Sequence, residues 1–469
     1  MCTSGGSLPD VQGDENMNRR IEAGEDMTSG PLLKKMLLFA LPIMGMSCLQ
    51  LLFSAADMVV VGRFCGKEAL GAVGAVGSPI GLLLGLFLGL SVGTSVVVAQ
   101  DYGAQDWDGV SRAVHTSILA GALIGVMTMG VGQIFCGPLL ESIETPANIL
   151  DMSILYMRIY LFGVPANMVY NFSAAALRAM GDSKRPMYYL VISGAVNAVL
   201  NVLFVVVFRR SVDGVALATI ISQYLAMGMI LRCLCRSGGP AVLEWKRLRI
   251  DRQKLRTVLR IGIPAGAQSV LFSISGVLIQ SGVNSFGSDF VAGKAAYDNL
   301  EGFANSVASA YTSTAITFTG QCMGAKKYDR IDRVAKQCAL QVMLITAIVS
   351  AFFIIFGEKL LGIYSDDPNV IEYGMLHMYV IMSGLALCGF MLAFPGVTRG
   401  MGYSVLPTVC TLLGACVMRI VWIRTVFVWY PLPAVLLACY PVSWVLTNIG
   451  QLAVFFYARK KVRSQQLVS

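Results

Sequence analysis

The chain has 469 residues, of which 56% are hydrophobic and 13% are charged. Soluble domains carry about 25% charged residues, so this composition excludes an ordinary soluble protein and predicts that much of the surface faces lipid. Apolar runs of about 20 residues recur along the chain, which predicts many membrane-spanning helices. The strict apolar–polar alternation that is typical of an outer-membrane barrel is absent from these runs.

The predicted elements begin with a polar segment, residues 1–31, which lacks the pattern of a signal peptide and is interpreted as a disordered tail. Two groups of six spans follow, 32–236 and 257–458, joined by a basic linker, 237–256, and ending in a tail, 459–469. The predicted spans are residues 33–60, 69–99, 114–137, 150–175, 187–208, 213–235, 257–286, 292–320, 334–357, 371–396, 404–427 and 433–458.

Basic residues alternate between the two sides of the membrane along these predicted spans. If the N-terminus is cytoplasmic, 27 of the 36 Lys and Arg residues fall in cytoplasmic segments, many of them between Arg232 and Arg260. Cytoplasmic segments are enriched in Lys and Arg. The pattern therefore predicts that both termini lie in the cytoplasm. It also explains the net charge of +9 without a nucleic-acid partner.

In the first span, Pro42 and Asp57 are the informative residues. A proline inside a helix removes a backbone hydrogen bond and favours a bend. A carboxylate within an apolar run is costly in lipid, so such a group usually faces a cavity, and burial favours its protonated form. Asp57 is therefore a candidate ion carrier. A hydrated, structural position at the outer mouth of the membrane is the alternative interpretation.

Spans two, five and six carry periodic small or polar residues. Gly77, Gly81, Gly85, Gly89 and Gly93 recur at every fourth position of span two, which favours close helix packing. Asn197 and Asn201, with Ser193, share one face of span five, and Thr219 and Gln223 share one face of span six. This polar stripe predicts either a water-filled site or hydrogen bonds between helices.

In the second half the candidates lie on spans seven and eight. Pro264 is the counterpart of Pro42 as a candidate bend. Glu301 is a candidate for attracting cations, and snorkelling to the interface is its alternative interpretation. The remaining polar candidates for a substrate cavity are Gln268, Gln280, Asn284 and Tyr311.

The two halves repeat each other in sequence at a nearly constant offset of 221 residues. The segment from Arg178 to Pro186 resembles the segment from Arg399 to Pro407, and Gln100 pairs with Gln321. Because each half has an even number of spans, the halves enter the membrane in the same direction, as parallel repeats do in some transporters. The predicted fold is all-α, with twelve transmembrane helices in two pseudo-symmetric six-helix lobes.

These residues resemble the multidrug and toxic compound extrusion (MATE) family along residues 32–460. The resemblance rests on Leu41-Pro42, Asp57 with Val61-Gly62-Arg63, Ala99-Gln100, Gly103-Ala104, Gly320-Gln321, Gly324-Ala325 and the turns after Arg178 and Arg399. It implies a secondary antiporter that exports cationic, lipophilic compounds in exchange for H+ or Na+ by alternating access between two lobes. A monomer in the plasma membrane that needs no cofactor is expected.

The resemblance also implies the coupling-ion site. The aspartate of the family's first span falls on Asp57, its threonine of span six falls on Thr219, and the Asn-x-x-x-Asp of span five falls on Asn197 and Asn201. The second of these positions is Asn here. Because hard cations prefer carboxylate oxygens, this difference argues against the usual sodium coordination.

Three other functions are considered. A flippase for a lipid-linked precursor requires a strongly cationic cavity, whereas basic residues within the spans are few. An enzyme requires a nucleophile–base pair or a metal site, and the two histidines and twelve scattered cysteines form no such motif. A channel requires a ring of repeated polar residues, but the polar stripes of the two halves differ.

Overall fold

The computed structural model describes residues 26–236 and 242–466, and this part of the chain is helical without strands. It confirms the predicted all-α membrane fold. Eleven of the long helices are apolar enough to cross a membrane, and α8 is more polar. The long helices are α1 Leu32–Phe64, α2 Lys67–Gly103, α3 Trp107–Ser142, α4 Ala147–Ala179, α5 Lys184–Val202, α6 Val212–Arg236, α7 Arg252–Asn284, α8 Ser288–Gly324, α9 Tyr328–Leu361, α10 Pro368–Gly400, α11 Val405–Trp429 and α12 Pro433–Gln466.

Most helices extend several residues beyond the predicted apolar spans, because polar ends continue the same helical backbone. α7 starts at Arg252, inside the predicted linker, where the Asp251 side chain accepts from the backbone N–H groups of Gln253 and Lys254. α12 continues to Gln466 inside the predicted tail, and Arg459 pairs there with Asp332. Residues 237–241 and 467–469 lie outside the described residues.

Three of the spans depart locally from regular α-helix. A π-helical turn, Leu203–Val207, continues α5. A 3-10 turn, Met382–Gly384, interrupts α10. Another π-helical turn, Leu412–Val417, lies within α11. Such turns redirect the side chains that follow them.

The repeated turns that end α4 and α10 have the same backbone geometry. Gly181 and Gly402 occupy the left-handed region, with φ of +96° and +91°. Only glycine adopts this conformation without a steric penalty. The repeat noted in the sequence is therefore a structural repeat.

The two halves touch closely at the end of the bundle where α1 starts and α12 finishes, called here the terminal side. A methyl group added to Gly89 of α2 would lie 2.2 Å from Gly266 Cα of α7, and one added to Gly93 would lie 2.1 Å from the Val258 carbonyl oxygen. Lys254 Nζ of α7 also pairs with Asp101 Oδ2 of α2 at 2.5 Å. Glycine is required at both positions of α2 by this close approach.

The same helix is free of such contacts nearer the other side. Methyl groups added to Gly74, Gly77 or Gly81 would meet no atom of the described chain within 4 Å. The predicted packing role therefore holds for Gly89 and Gly93 but is wrong for Gly77 and Gly81. Along α2, the close contact between the halves therefore lies on the terminal side, at Gly89 and Gly93.

Helix α1 contacts both halves of the molecule. Near its start, Met36, Phe39 and Ile43 pack in a cluster with side chains of α8, α9, α10 and α12, and the Phe39 and Phe318 rings lie 5.9 Å apart. Its other end faces α5 of the first half. The boundaries that we predict for the two halves stay a prediction.

The segment before α1 corrects one expectation. The sequence predicts that residues 26–31 belong to a disordered tail, but Met27 is fully buried and its backbone N–H donates to Gln321. The tail prediction is therefore wrong for these residues, because one apolar side chain and several carbonyls find partners on α8 and α9. Residues 1–25 lie outside the described residues.

Candidate functional site

A cavity of about 510 Å³ lies between the helices of the first half and α8 of the second half. Its volume is in the range of pockets that bind drug-sized ligands. Its walls come from α1, α2, α4, α5 and α6, and α8 of the second half contributes the remaining wall. The lining residues that carry polar groups are Ser47, Gln50, Ser54, Asp57, Tyr160, Asn167, Tyr170, Asn171, Ser193, Asn197, Thr219, Ser222, Gln223, Asn305, Ser306 and Ser309.

Asp57 is half-buried on the cavity wall and is held by the amides of α5. Asn201 Nδ2 donates to Asp57 Oδ1 at 2.5 Å. The Asn197 amide, with its nitrogen turned toward the carboxylate, donates to the same oxygen at 3.1 Å and accepts from Thr219 N at 3.3 Å. Both asparagines are buried, with 6% and 1% of Asn197 and Asn201 exposed. The four predicted coupling-site residues thus meet at one place.

The positions of these side chains follow from helical spacing. Asn197 and Asn201 are four residues apart on α5, so they share the face that is turned toward α1. Thr219 lies on the neighbouring helix α6, and its hydroxyl donates to the Val215 carbonyl one turn earlier at 3.0 Å. The Thr219 backbone N–H donates to the Asn197 oxygen.

Two buried amide oxygens of the site lack a hydrogen-bond donor. Asn201 Oδ1 and Gln223 Oε1 are inaccessible to solvent and have no partner among the described residues. A buried acceptor without a partner is costly. Together with the Asp57 carboxylate, such oxygens suit a cation, a proton-bearing group or a ligand that donates hydrogen bonds.

A single charged side chain lines the cavity in the described part of the chain. Among the described residues, Asp57 is its one carboxylate, and Lys, Arg and His are absent from its lining. A negative group in an enclosure of low dielectric attracts cations and repels phosphates. The arrangement therefore favours a positively charged or hydrogen-bond-donating ligand.

The second-half candidates do not line this cavity. Tyr311 is fully buried, and its hydroxyl donates to Gln341 Oε1 at 2.9 Å, so the prediction that it lines a substrate cavity is wrong. Gln268 Oε1 accepts from the buried Arg399 at 2.6 Å. These side chains satisfy polar groups in a packed interior.

The remaining candidates lie elsewhere on the second half. Gln280 Nε2 donates to Asn284 Oδ1 at 2.9 Å, and this pair is exposed. Glu301 lies one turn after Tyr297 on α8 but outside the cavity lining. Their roles as substrate residues, and the roles of Pro42 and Pro264 as bends within the continuous helices α1 and α7, stay predictions.

Sequence reasoning missed several residues of the cavity. Ser47, Gln50 and Ser54 precede Asp57 on α1 at spacings of three and four residues, which places all four on one helical face. Asn167 of α4 and Asn305 of α8 were also missed. The periodic spacing along α1 was the available signal, whereas the approach of α8 depends on how the halves are packed.

A metal centre is not indicated in the described part of the chain. It contains no group of three or more His, Cys, Asp or Glu side chains that could hold a metal ion. Both histidines have backbone partners: the His377 ring lies 2.7 Å from the Tyr373 carbonyl oxygen, and the His115 ring accepts from Glu244 N at 3.1 Å.

Comparison with known proteins identifies the family. The family profile described as MatE matches residues 42–203 and 264–423. This chain belongs to the MATE family. The two matched segments begin at Pro42 and Pro264, so the profile covers each repeat in turn, and a MATE protein is a transporter and not an enzyme.

Several curated relatives cover most of this MATE protein. It is 26% identical over 402 residues to the probable multidrug resistance protein YpnP of Bacillus subtilis, covering 84% of this chain and 88% of the relative. It is 20% identical over 394 residues to the multidrug export protein MepA of Staphylococcus aureus, covering 84% and 87%. These similarities support a multi-pass membrane transporter of the multidrug efflux type.

Solved structures share the fold. A structure described as the outward-facing conformation of a multidrug resistance MATE family transporter superposes with a TM-score of 0.86 at 20% identity, covering 95% of this chain and 98% of that one. A mutant of the Vibrio cholerae MATE transporter VcmN superposes with a TM-score of 0.84 at 20% identity, covering 92% and 97%. The predicted arrangement of two six-helix lobes is confirmed.

Proposed function

We propose that this MATE transporter is an antiporter that exports lipophilic organic cations in exchange for protons. The observation that carries this proposal is the cavity of the first half, in which Asp57 is the one carboxylate of the described lining and is held by Asn197 and Asn201. Protonation of Asp57 removes the negative charge that attracts the substrate. Proton and cation therefore compete for one group, which is the simplest form of exchange.

A proton fits this site better than sodium because carboxylates are few. Sodium is a hard cation that prefers several anionic or carbonyl oxygens, and Asn201 stands where a second carboxylate would strengthen such a site. The unpartnered oxygen of Asn201 nevertheless makes sodium the second candidate ion. The two ions are separated by experiment below.

The contacts between the halves support alternating access as the transport mechanism. The halves are closed on the terminal side through Gly89 and Gly93 of α2. With the termini in the cytoplasm of a cell's plasma membrane, as the basic residues predict, the cavity faces outward. Binding of the coupling ion shifts the balance toward one orientation only if its affinity differs between the two.

The flippase alternative is disfavoured by the same cavity. A lipid-linked pyrophosphate requires cationic side chains to balance its charge, and the described lining contains none. Export of organic cations by a monomer remains our proposal.

The test is transport in proteoliposomes with the proton and sodium gradients varied separately. We expect uptake of tetraphenylphosphonium to follow an imposed pH gradient at constant sodium and to be unaffected by a sodium gradient at constant pH. Uptake that follows the sodium gradient alone would show that sodium, and not the proton, is the coupling ion. Movement of a fluorescent lipid-linked precursor without cation transport would favour the flippase.

A further inference from the structure

The six residues before α1, Asp26–Pro31, form a compact turn on the terminal side. Asp26 Oδ1 accepts from Thr28 N at 2.7 Å and Oδ2 accepts from the Ser29 hydroxyl at 2.7 Å. Gly30 has φ of +74°, and Lys35 Nζ closes the turn on the Asp26 carbonyl at 2.9 Å. Burial opposes ionisation of Asp26, but the hydrogen bonds from Thr28 and Ser29 lower its pKa below the ordinary value. The turn therefore keeps its charge at neutral pH.

This turn is docked on the second half by both apolar and charged contacts. The Met27 side chain is fully buried in the cluster that contains Phe318. Lys327 Nζ donates to the Thr28 hydroxyl at 2.9 Å and to its carbonyl at 3.2 Å. Arg330 Nη2 donates to the carbonyls of Ser29 at 2.8 Å and Gly30 at 2.9 Å. Hydrogen bonds from charged donors are stronger than neutral ones.

One buried side chain connects the docked turn to the first half. Met27 N donates to Gln321 Oε1 at 2.9 Å, and Gln321 Nε2 donates to the Ala179 carbonyl at the end of α4 at 2.8 Å. A methyl group added to Gly103 of α2 would lie 2.1 Å from the Gln321 carbonyl oxygen. The turn, α8 and both contacting helices of the first half therefore meet at Gln321.

The course of α1 makes these contacts dependent on the orientation of the halves. The second half holds α1 at its start through Met36 and Phe39, whereas Asn201 of the first half holds it at Asp57. A rotation of one half against the other pulls α1 at both ends. Such a rotation must either bend α1 or detach the turn 26–31 from the second half.

We propose that residues 26–31 are a latch, whose docking on the surface formed by Gln321, Lys327 and Arg330 stabilises the state that is closed on the terminal side. This inference rests on the proposed alternation between two orientations. A contact present in one state only shifts the population toward that state. Release of the latch therefore increases the fraction of molecules that are open on the terminal side.

The test uses Lys327→Ala/Arg330→Ala in the full chain in lipid nanodiscs. The matched control is Arg333→Ala/Lys336→Ala, which removes two charges from exposed positions of α9, the helix that contains Arg330. Gly30→Val detaches the turn by a second route, because a β-branched residue is strained at a φ of +74°. It leaves every charge in place and keeps the proposal testable if the double variant folds poorly.

Two measurements distinguish docking of residues 26–31 from its effect on the orientation of the halves. The first is the rate of maleimide modification at Cys322, which is fully buried in the same cluster as Met27, with the buried Cys338 as a check for unfolding. The second is the spin-label distance across the terminal side between Lys184→Cys and Lys460→Cys, in a background whose accessible cysteines are replaced by serine.

We expect both latch variants to raise the Cys322 rate by about tenfold or more and to increase the population at longer distance, with the control unchanged. Unchanged Cys322 modification would overturn the docking. Faster modification with an unchanged distance distribution would overturn the latch. Neither readout uses a drug or an ion gradient, so failure here is distinct from failure of the antiport proposal.

Discussion

The two halves of the molecule share a fold but carry different side chains at equivalent positions of the repeat. In the first half Asp57, Asn197 and Thr219 line a cavity, and Asn201 donates a hydrogen bond to Asp57. The offset of 222 that pairs Pro42 with Pro264 places Ile279 opposite Asp57, and the offset of 221 places Met418, Trp422 and Tyr440 opposite the other three residues. Ile279 is 1% exposed within an apolar cluster, against which Trp422 packs.

The difference shows how repeated backbones acquire unequal functions. Trp422 Nε1 donates to the Val435 carbonyl at 2.9 Å, and the Arg419 guanidinium lies 4.3 Å from the Tyr440 ring centre, so these two side chains have partners within the protein. In the first half, Asn201 Oδ1 has no partner in the described chain. We infer that the first half binds the coupling ion and the substrate, and that the second half mainly stabilises the fold.

The largest expected effect comes from Asp57→Asn. Loss of the carboxylate should reduce drug resistance to that of cells without the transporter, because the described cavity lining then has no carboxylate for the proton or the cation, while the amount of folded protein is unchanged. Asp298→Asn is the matched control, because this second-half carboxylate is exposed and pairs with Lys294. An equal loss of resistance in both variants would contradict the assignment of ion and substrate binding to the first half.

Thr219→Tyr makes the first half resemble the second. The ring occupies cavity space beside Asn197, and overpacking costs about 1–3 kcal/mol, so we expect transport to fall by about tenfold. Thr219→Ser keeps the hydroxyl and should transport normally. The rates are compared in proteoliposomes at equal protein content, and a fully active tyrosine variant would show that this part of the cavity is not used.

Trp422→Ala tests the supporting role of the second half. Removing this partly buried ring should lower the free energy of unfolding by about 2 kcal/mol, below the range for fully buried tryptophan. A lower melting temperature in detergent, with resistance in cells retained, is the expected result. Lost transport without lost stability would assign a binding role to the second half.

The smallest expected effect is that of Glu301→Gln. Because Glu301 lies outside the cavity lining, it acts on a cationic substrate only by long-range attraction. We expect KM for a cation to rise by roughly threefold and KM for a neutral compound to stay unchanged. A loss as complete as that of Asp57→Asn would move the coupling site to the second half.

The sequence predicted the features that depend on local patterns. Apolar runs located the twelve helices, and four-residue spacing placed Asn197 and Asn201 on the face that meets Asp57. Features that depend on distant partners were missed. The docking of Met27 depends on the apolar cluster around Phe318 and on Gln321, which accepts its backbone N–H from 294 residues away. Tyr311 was misassigned because its partner Gln341 lies on another helix.

The most direct test of coupling at Asp57 is proton release from the purified transporter on substrate binding. In weakly buffered, sodium-free detergent solution, saturating tetraphenylphosphonium should release up to about one proton per molecule from the wild type near the pH at which Asp57 is protonated. Asp57→Asn should release none. Undiminished release from Asp57→Asn would contradict the account.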